Sequence, residues 1–291
     1  MIISKITSGL GNQLFQYAAA KSLAVKNNTS LYLDLRYYNH QYATDTIRTC
    51  KLDYFNVDYK KFESSKPLVL LSKSTKLFPG RTCKPFFELV NEQYHHFNKD
   101  VLHKKSQFIY LKGFWQSEKY FSPVADLIRK DFSFKENSKS DFIRYRNTIL
   151  GSKNPISVHI RRGDYVHHPK FSKTFGFVGL DYYLKAIEVV KAKFSSYQFF
   201  IFSDDKDWVI KNFPLSANDV IVNTTGDNTD IDDLQLMSLC NHQLIANSSF
   251  SWWGAWLNSK PDKMVICPAK FYKNQPDWDT KDLLPDSWIK L

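Results

Sequence analysis

Between residues 155 and 267 short apolar runs alternate with helical patterns, and this alternation restricts the fold more than any other feature of the chain. The runs are Ile156–Ile160, Gln198–Phe202, Val220–Val222, Gln243–Ala246 and Met264–Cys267. Helical stretches lie between them at Asp181–Phe194, Trp208–Asn212, Asp230–Leu239 and Trp252–Leu257. Short strands that are apolar on both faces and separated by helices build a parallel sheet covered on both sides. In such sheets ligands bind at the loops leaving the carboxyl ends of the strands. Those loops are where chemistry is expected.

The chain opens in the same way. Ile2–Ile6 reads as a buried strand, Ser8-Gly9-Leu10-Gly11-Asn12 as a turn, Gln13–Val25 as a helix and Leu31–Leu35 as a second strand. Residues 60–105 are Lys-rich, contain Pro67, Pro79 and Pro85, and show weak periodicity. Helices and long loops are expected there. A polar stretch and Pro155 within residues 133–155 mark a domain boundary, giving units 1–150 and 151–291.

Charge is unevenly placed. The net value is +11; residues 1–150 hold 24 Lys and Arg against 13 Asp and Glu, whereas residues 151–291 hold 16 of each. A basic half suits nucleic acid, an anionic membrane, a phosphorylated substrate, or simply a solvated surface. No nucleic-acid motif accompanies it, which argues against DNA or RNA as partner. Cys50, Cys83, Cys240 and Cys267 are widely spaced and form no CxxC pair, so a zinc knuckle or thioredoxin site is not expected. Cys240 and Cys267 lie in apolar contexts and are expected as buried thiols in a reducing, cytoplasmic setting. No run of roughly 18 apolar residues is present.

Four loops carry candidate chemistry. His159-Ile160-Arg161-Arg162-Gly163-Asp164-Tyr165 follows a strand, and its paired guanidiniums suit a diphosphate better than lysines would. The competing reading is a structural Arg–Asp ion pair. Asp204-Asp205 follows the next strand and could bind a ribose, a base or a metal; for Asp205 a helix cap is favoured. Asn247, Ser248, Ser249 and Ser251 lead into a helix, where hydroxyls and backbone N–H groups could cradle an anion or merely cap. Trp252, Trp253 and Trp256 in that helix are expected in the core. Gly9-Leu10-Gly11-Asn12-Gln13 lacks the third glycine of a dinucleotide fingerprint, and no Walker phosphate loop occurs, which disfavours dehydrogenases and kinases.

Taken together, GLGNQLFQYAAAKSLA, GFWQSEKYF, HIRRGDY and LMSLCNHQLIANSSFSWWGAWLN closely resemble the galactoside α-1,2-fucosyltransferases, glycosyltransferase family 11. The resemblance implies a GT-B-like α/β fold, two Rossmann-like halves facing each other across a cleft, with acceptor on residues 1–150 and GDP-fucose on residues 151–291. It implies inverting transfer of fucose to O2 of a terminal β-galactoside, with no metal and no cofactor. Arg162, Arg161, His159, Asn247, Ser248, Ser249 and Asp233 would serve the donor, Asp233 through guanine. Asn12 and Gln13 would face the cleft. Asp164 and Glu118 are the rival candidates for catalytic base beside Arg162. Because the acceptors implied are membrane-linked glycans, peripheral contact with an anionic membrane is expected. The alternative is an inactive carbohydrate- or nucleotide-binding module, which would bind glycan without turning over GDP-fucose.

Overall fold

The computed structural model describes residues 1–40, 47–63, 85–273, 275 and 278–291. The chain divides into two compact units, Met1–Phe134 with Trp278–Leu283, and Lys135–Asp277 with Leu284–Leu291. The division therefore precedes the boundary expected at residue 150.

In the first unit the strands are β1 (Ile2–Lys5), β2 (Leu31–Asp34), β3 (Lys60–Lys61), β4 (Phe87–Asn91) and β5 (Phe108–Lys112). Among the described residues they form one sheet in the order β3-β2-β1-β5-β4, and every pairing is parallel. Helix α1 (Leu10–Lys26) is buried on nearly every side, including Leu14, Phe15, Tyr17, Ala18 and Leu23. Its Ala18-Ala19-Ala20 run lets the backbone lie close to β1 and β2. Helix α2 (Ala125–Asp131) buries Ile128 and Asp131, and the Asp131 carboxylate accepts from the Tyr17 hydroxyl at 2.7 Å.

The expectation of helices and long loops over residues 60–105 is corrected where the chain is described. Phe87–Asn91 is a strand in register with β5, and Lys99–His103 is a single 3-10 turn. The strand hides because its buried face includes a charge: Glu88 is 4% exposed, answered by Lys104 Nζ at 2.8 Å and the Ser106 hydroxyl at 3.2 Å. Residues 64–84, with Pro67, Pro79 and Cys83, lie outside the described residues.

In the second unit the chain runs through α3 (Ser140–Gly151), β6 (Pro155–Ile160), α4 (Gly163–His167), α5 (Pro169–Thr174), α6 (Leu180–Lys193), β7 (Gln198–Ser203) and α7 (Lys206–Asn212). It continues through β8 (Val220–Ile221), α8 (Thr229–Leu239), β9 (His242–Leu244), α9 (Ser249–Leu257), β10 (Val265–Cys267) and β11 (Ile289–Lys290). The described strands form a parallel sheet in the order β11-β10-β9-β6-β7-β8. Helix α3 belongs here because its apolar stripe, Phe142, Tyr145 and Ile149, is buried and it packs against α8. Lys139 and Asn137 just before it bind the buried Asp232 carboxylate of α8 at 2.7 and 2.6 Å.

Trp252, Trp253 and Trp256 are core residues, as expected, at 0%, 0% and 4% exposure. Helix α9 lies so close to α8 that a methyl on Gly254 would come within 3.1 Å of Met237 Cβ. Truncating one of these tryptophans should cost about 3–5 kcal/mol, the usual range for a buried aromatic. Cys240 and Cys267 are free and buried, Cys50 is free and half-buried. Among the described residues no helix is long and apolar enough to cross a membrane.

Candidate active-site loops

In the second unit the loops leaving β6, β7, β8 and β9 gather at the carboxyl edge of the sheet. The β6–β7 register pairs Ile160 with Ser203, which sets Arg161-Arg162 beside Asp204-Asp205. Arg161 is clasped by two carboxylates, Asp164 at 2.7 Å and Asp204 at 3.0 Å. Burial works against its charge, but those two carboxylates outweigh it and hold the guanidinium above its usual range. The Arg162 backbone N–H donates to Asp204 at 2.8 Å, and its Nε donates to Asp205 at 3.1 Å. The guanidinium lies over the rings of Trp208 at 4.2 Å and Phe177 at 4.8 Å. Its Nη1 and Nη2 atoms make no hydrogen bond to a described residue.

Gly163 is where this loop needs a glycine. A methyl there would stand 2.5 Å from the Asp204 carboxylate that grips both arginines. Asp205 caps α7 by accepting from the Trp208 N–H at 3.1 Å, the role favoured from sequence, and braces Arg162 as well. Asp164 is tied to Arg161 rather than standing alone. Three carboxylates surround two guanidiniums, so an incoming anion would rely on the Arg162 fork and on backbone donors.

His159 sits at the end of β6, 5% exposed, with its ring 5.5 Å from that of Phe250. Burial, reinforced by the nearby Arg161 charge, pushes its pKa down to about 3. The imidazole is therefore neutral at physiological pH, and its Nδ1 is buried without a partner. Asn247 spends its amide on the carbonyls of Phe175, Gly176 and Phe271, at 3.1–3.2 Å. It holds the segments after α5 and β10 together, while its backbone carbonyl accepts from the Tyr165 hydroxyl at 3.2 Å. Ser248 caps α9 by accepting from the Phe250 N–H at 3.3 Å, and Ser249 begins the helix half-buried.

Asp230-Ile231-Asp232 lies in the first turn of α8, as read from sequence, and Asp233 follows on the same helix. The Thr224 hydroxyl donates to Asp233 at 2.8 Å. Burial dominates that bond and raises the carboxyl to about 6. Among the described residues no group of three or more His, Cys, Asp or Glu could hold a metal ion.

In the first unit the corresponding edge is built differently. Gln13 is fully buried: its amide donates to the carbonyls of Ser8 and Thr49 at 3.0 and 2.8 Å, and its Oε1 accepts from Lys51 N at 2.9 Å. It braces the residue 48–51 segment through these bonds. Asn12 is half-buried and accepts from Gln116 at 2.7 Å. Glu118, half-buried in the 3-10 turn Glu118–Tyr120, lies within electrostatic reach of Arg129. Between them is the start of the GFWQSEKYF segment, from which sequence reading singled out only Glu118. Trp115 takes φ +56°, a left-handed value that costs a bulky residue about 1–3 kcal/mol. Nothing in GFWQ announces that conformation, because tryptophan has no preference for it.

Each of the two units is an α/β layer on a parallel sheet with polar loops at the strand ends, the architecture of a GT-B-like fold. The description Glycosyl transferase family 11 matches residues 1–291, and the chain belongs to that family. An Escherichia coli alpha-1,2-colitosyltransferase is 33% identical over 303 residues, covering 100% of this chain and 99% of the relative. The E. coli O-antigen biosynthesis glycosyltransferase WbnK is 33% identical over 304 residues, covering 99% of each. A Caenorhabditis elegans galactoside 2-alpha-L-fucosyltransferase is 26% identical over 306 residues, covering 97% of this chain and 77% of its own. Among solved structures, POFUT1 in complex with GDP-fucose aligns with TM-score 0.52 at 12% identity, over 91% of this chain and 97% of its own. Fucosyltransferase NodZ from Bradyrhizobium aligns with TM-score 0.51 at 16% identity, over 87% and 91%. These two likenesses establish the fold.

Proposed function

We propose that this protein transfers L-fucose from GDP-fucose to O2 of a terminal β-galactoside, with inversion and without a metal. The observation that carries this reading is Arg162. Its guanidinium is pinned by Asp205, Trp208 and Phe177 at a strand end, with both Nη atoms left over for a bidentate anion. In the reaction the C1–O bond to the β-phosphate breaks, its electron pair leaves with GDP, and acceptor O2 bonds to C1 from the opposite face. Arg162 gains most as the leaving phosphate gains charge, which lowers the barrier directly.

Backbone N–H groups at the start of α9, beside Ser248 and Ser249, add neutral donors for the diphosphate. Asp233 accepts from guanine N1–H and the exocyclic amine. Neutral His159 shapes the pocket wall. Asp164 holds Arg161 in place, and Glu118 takes the O2 proton. Asn247 supports the donor loops by tying their backbone together. The basic first unit would bring the enzyme to anionic membrane surfaces, where salt should weaken the contact.

A second donor is favoured by the 33% identity to a colitosyltransferase. Colitose is fucose without its 3-hydroxyl, so the two donors share the GDP and the anomeric chemistry. Mass spectrometry of products from GDP-fucose and GDP-colitose on a panel of β-galactosides separates them. A mass gain of one fucose from GDP-fucose supports the first reading; gain only from GDP-colitose replaces it.

A further inference from the structure

The loop after β5 in the first unit holds one aromatic side chain out of the core by means that are expensive to build. Phe114 is 39% exposed, while its neighbour Trp115 is 1% exposed. Both backbone N–H groups donate to a single carboxylate, Glu92 at the end of β4, at 2.6 and 2.9 Å. Burial of that carboxylate raises its pKa, a cost that the two N–H bonds only partly offset. Gly113 is required, since a methyl would come 2.4 Å from Glu92 Cβ. The Gly113 carbonyl accepts from Gln16 of α1 at 3.0 Å, and Gln116 donates to Asn12 at 2.7 Å. The left-handed turn at Trp115 sends its indole inward against Tyr120, ring centroids 5.5 Å apart. The outcome of all five devices is a fixed backbone under Phe114.

Every one of these anchors sits at the carboxyl end of β1, β4 or β5, or in the helix that follows β1. This is the edge where parallel sheets bind ligands. Isolated exposed apolar side chains are common and need no explanation. A strained, glycine-dependent, carboxylate-gripped loop that exposes one is different, because strain persists where function uses it.

We propose that Phe114 is a specificity-determining residue that stacks on the apolar face of the acceptor galactose. The axial 4-hydroxyl of β-galactose lies on one face and leaves C3–H, C4–H and C5–H grouped on the other. That face matches the electron-rich face of a phenyl ring. A β-glucoside, with its 4-hydroxyl equatorial, lacks the grouped patch. The loop therefore reads the 4-position of the sugar without a hydrogen bond. This inference rests on the galactoside reading above.

The test is steady-state kinetics on the full chain with GDP-fucose and paired β-galactosides and β-glucosides. Phe114→Ala should raise the galactoside KM about tenfold, the scale of one lost stacking contact, with kcat changed by less than about threefold. The preference for galactoside over glucoside should shrink by a similar factor, and GDP affinity by calorimetry should stay the same. Phe114→Trp should restore both KM and preference. Saturation-transfer NMR with methyl β-galactoside and no donor reads the stacking on its own. Loss of that signal in Phe114→Ala supports the proposal even if fucose proves not to be the sugar transferred. An unchanged NMR signal, or a KM within about twofold of the parent, overturns it.

Discussion

The two carboxyl-edge loops solve the same positioning problem with opposite chemistry. In the second unit, Arg161 and Arg162 are held by Asp164, Asp204 and Asp205, and charge fixes charge. In the first unit, Phe114 and Trp115 are held through backbone N–H groups on Glu92, and among the described residues no cation joins the grip. Both loops depend on a glycine into which a carboxylate intrudes, Gly163 against Asp204 and Gly113 against Glu92. The difference fits the ligands proposed for each edge. Fixed guanidiniums suit a dianion whose charge grows during reaction. A rigid neutral loop with an exposed ring suits an uncharged sugar. The uneven charge of the sequence does not predict this: the charge-neutral half of the chain carries the Arg–Asp cluster, and the basic half carries the loop that exposes Phe114.

The comparison breaks most easily at Arg162. Arg162→Ala should cut turnover by about a hundredfold or more, the scale of a lost transition-state donor. Arg162→Lys should recover little, since an ammonium has no fork and loses the flat stack on Trp208. Near-parental rates in both would remove Arg162 from the site, and would leave the second edge a purely structural ion-pair cluster.

The two candidate bases sharpen the comparison next. Glu118→Gln should keep GDP affinity and lose about tenfold to a hundredfold in kcat, at the lower end of general-base effects. Asp164→Asn should lose GDP affinity and kcat together, because it frees Arg161 from one of its two carboxylates. The reverse pattern, intact GDP binding with lost kcat in Asp164→Asn, would move the base to Asp164.

Much of this was legible beforehand, for physical reasons. The second sheet announced itself because β6 and β7 are buried on both faces and are mostly apolar in sequence. Strand β4 did not, because Glu88 breaks the run and is answered only by residues 16 and 18 positions away in sequence. Helices α4 and α5 were missed because GDYVHHPKFSKT is polar and interrupted by a proline. The Arg–Asp spacing flagged the loop after β6, yet which Asp meets which Arg follows from the β6–β7 register, and the cation–π shelf comes from Phe177 in the loop before α6 and Trp208 in α7. The motif GNQ was legible, but the bonds of its glutamine to Ser8, Thr49 and Lys51 were not, because two of those partners lie 36 and 38 positions away.

A smaller effect should follow pH. Asp233 holds its proton up to about 6 in the folded chain, against an ordinary value of 3.8. Its folded pKa is raised, so its charged form burdens the fold at neutral pH. That burden lifts as pH falls through 6 toward 3.8. If Asp233 binds guanine as proposed, it does so as the carboxylate, so GDP affinity should weaken as pH drops below about 6. Asp233→Asn should bind GDP several-fold more weakly, lose that pH dependence, and gain about 1–2 kcal/mol of stability at pH 7. Equal GDP affinity in calorimetry at pH 5 and pH 7 would take Asp233 away from the base.

The central claim is the bond made. Purified protein, GDP-fucose and lactose should be incubated in excess EDTA and the product examined by NMR. The account predicts an α-linked fucose on O2 of galactose, with a correlation across that linkage, formed at a rate EDTA leaves unchanged. A β-linkage, attachment at another hydroxyl, or turnover only after Mg²⁺ or Mn²⁺ is restored would contradict it.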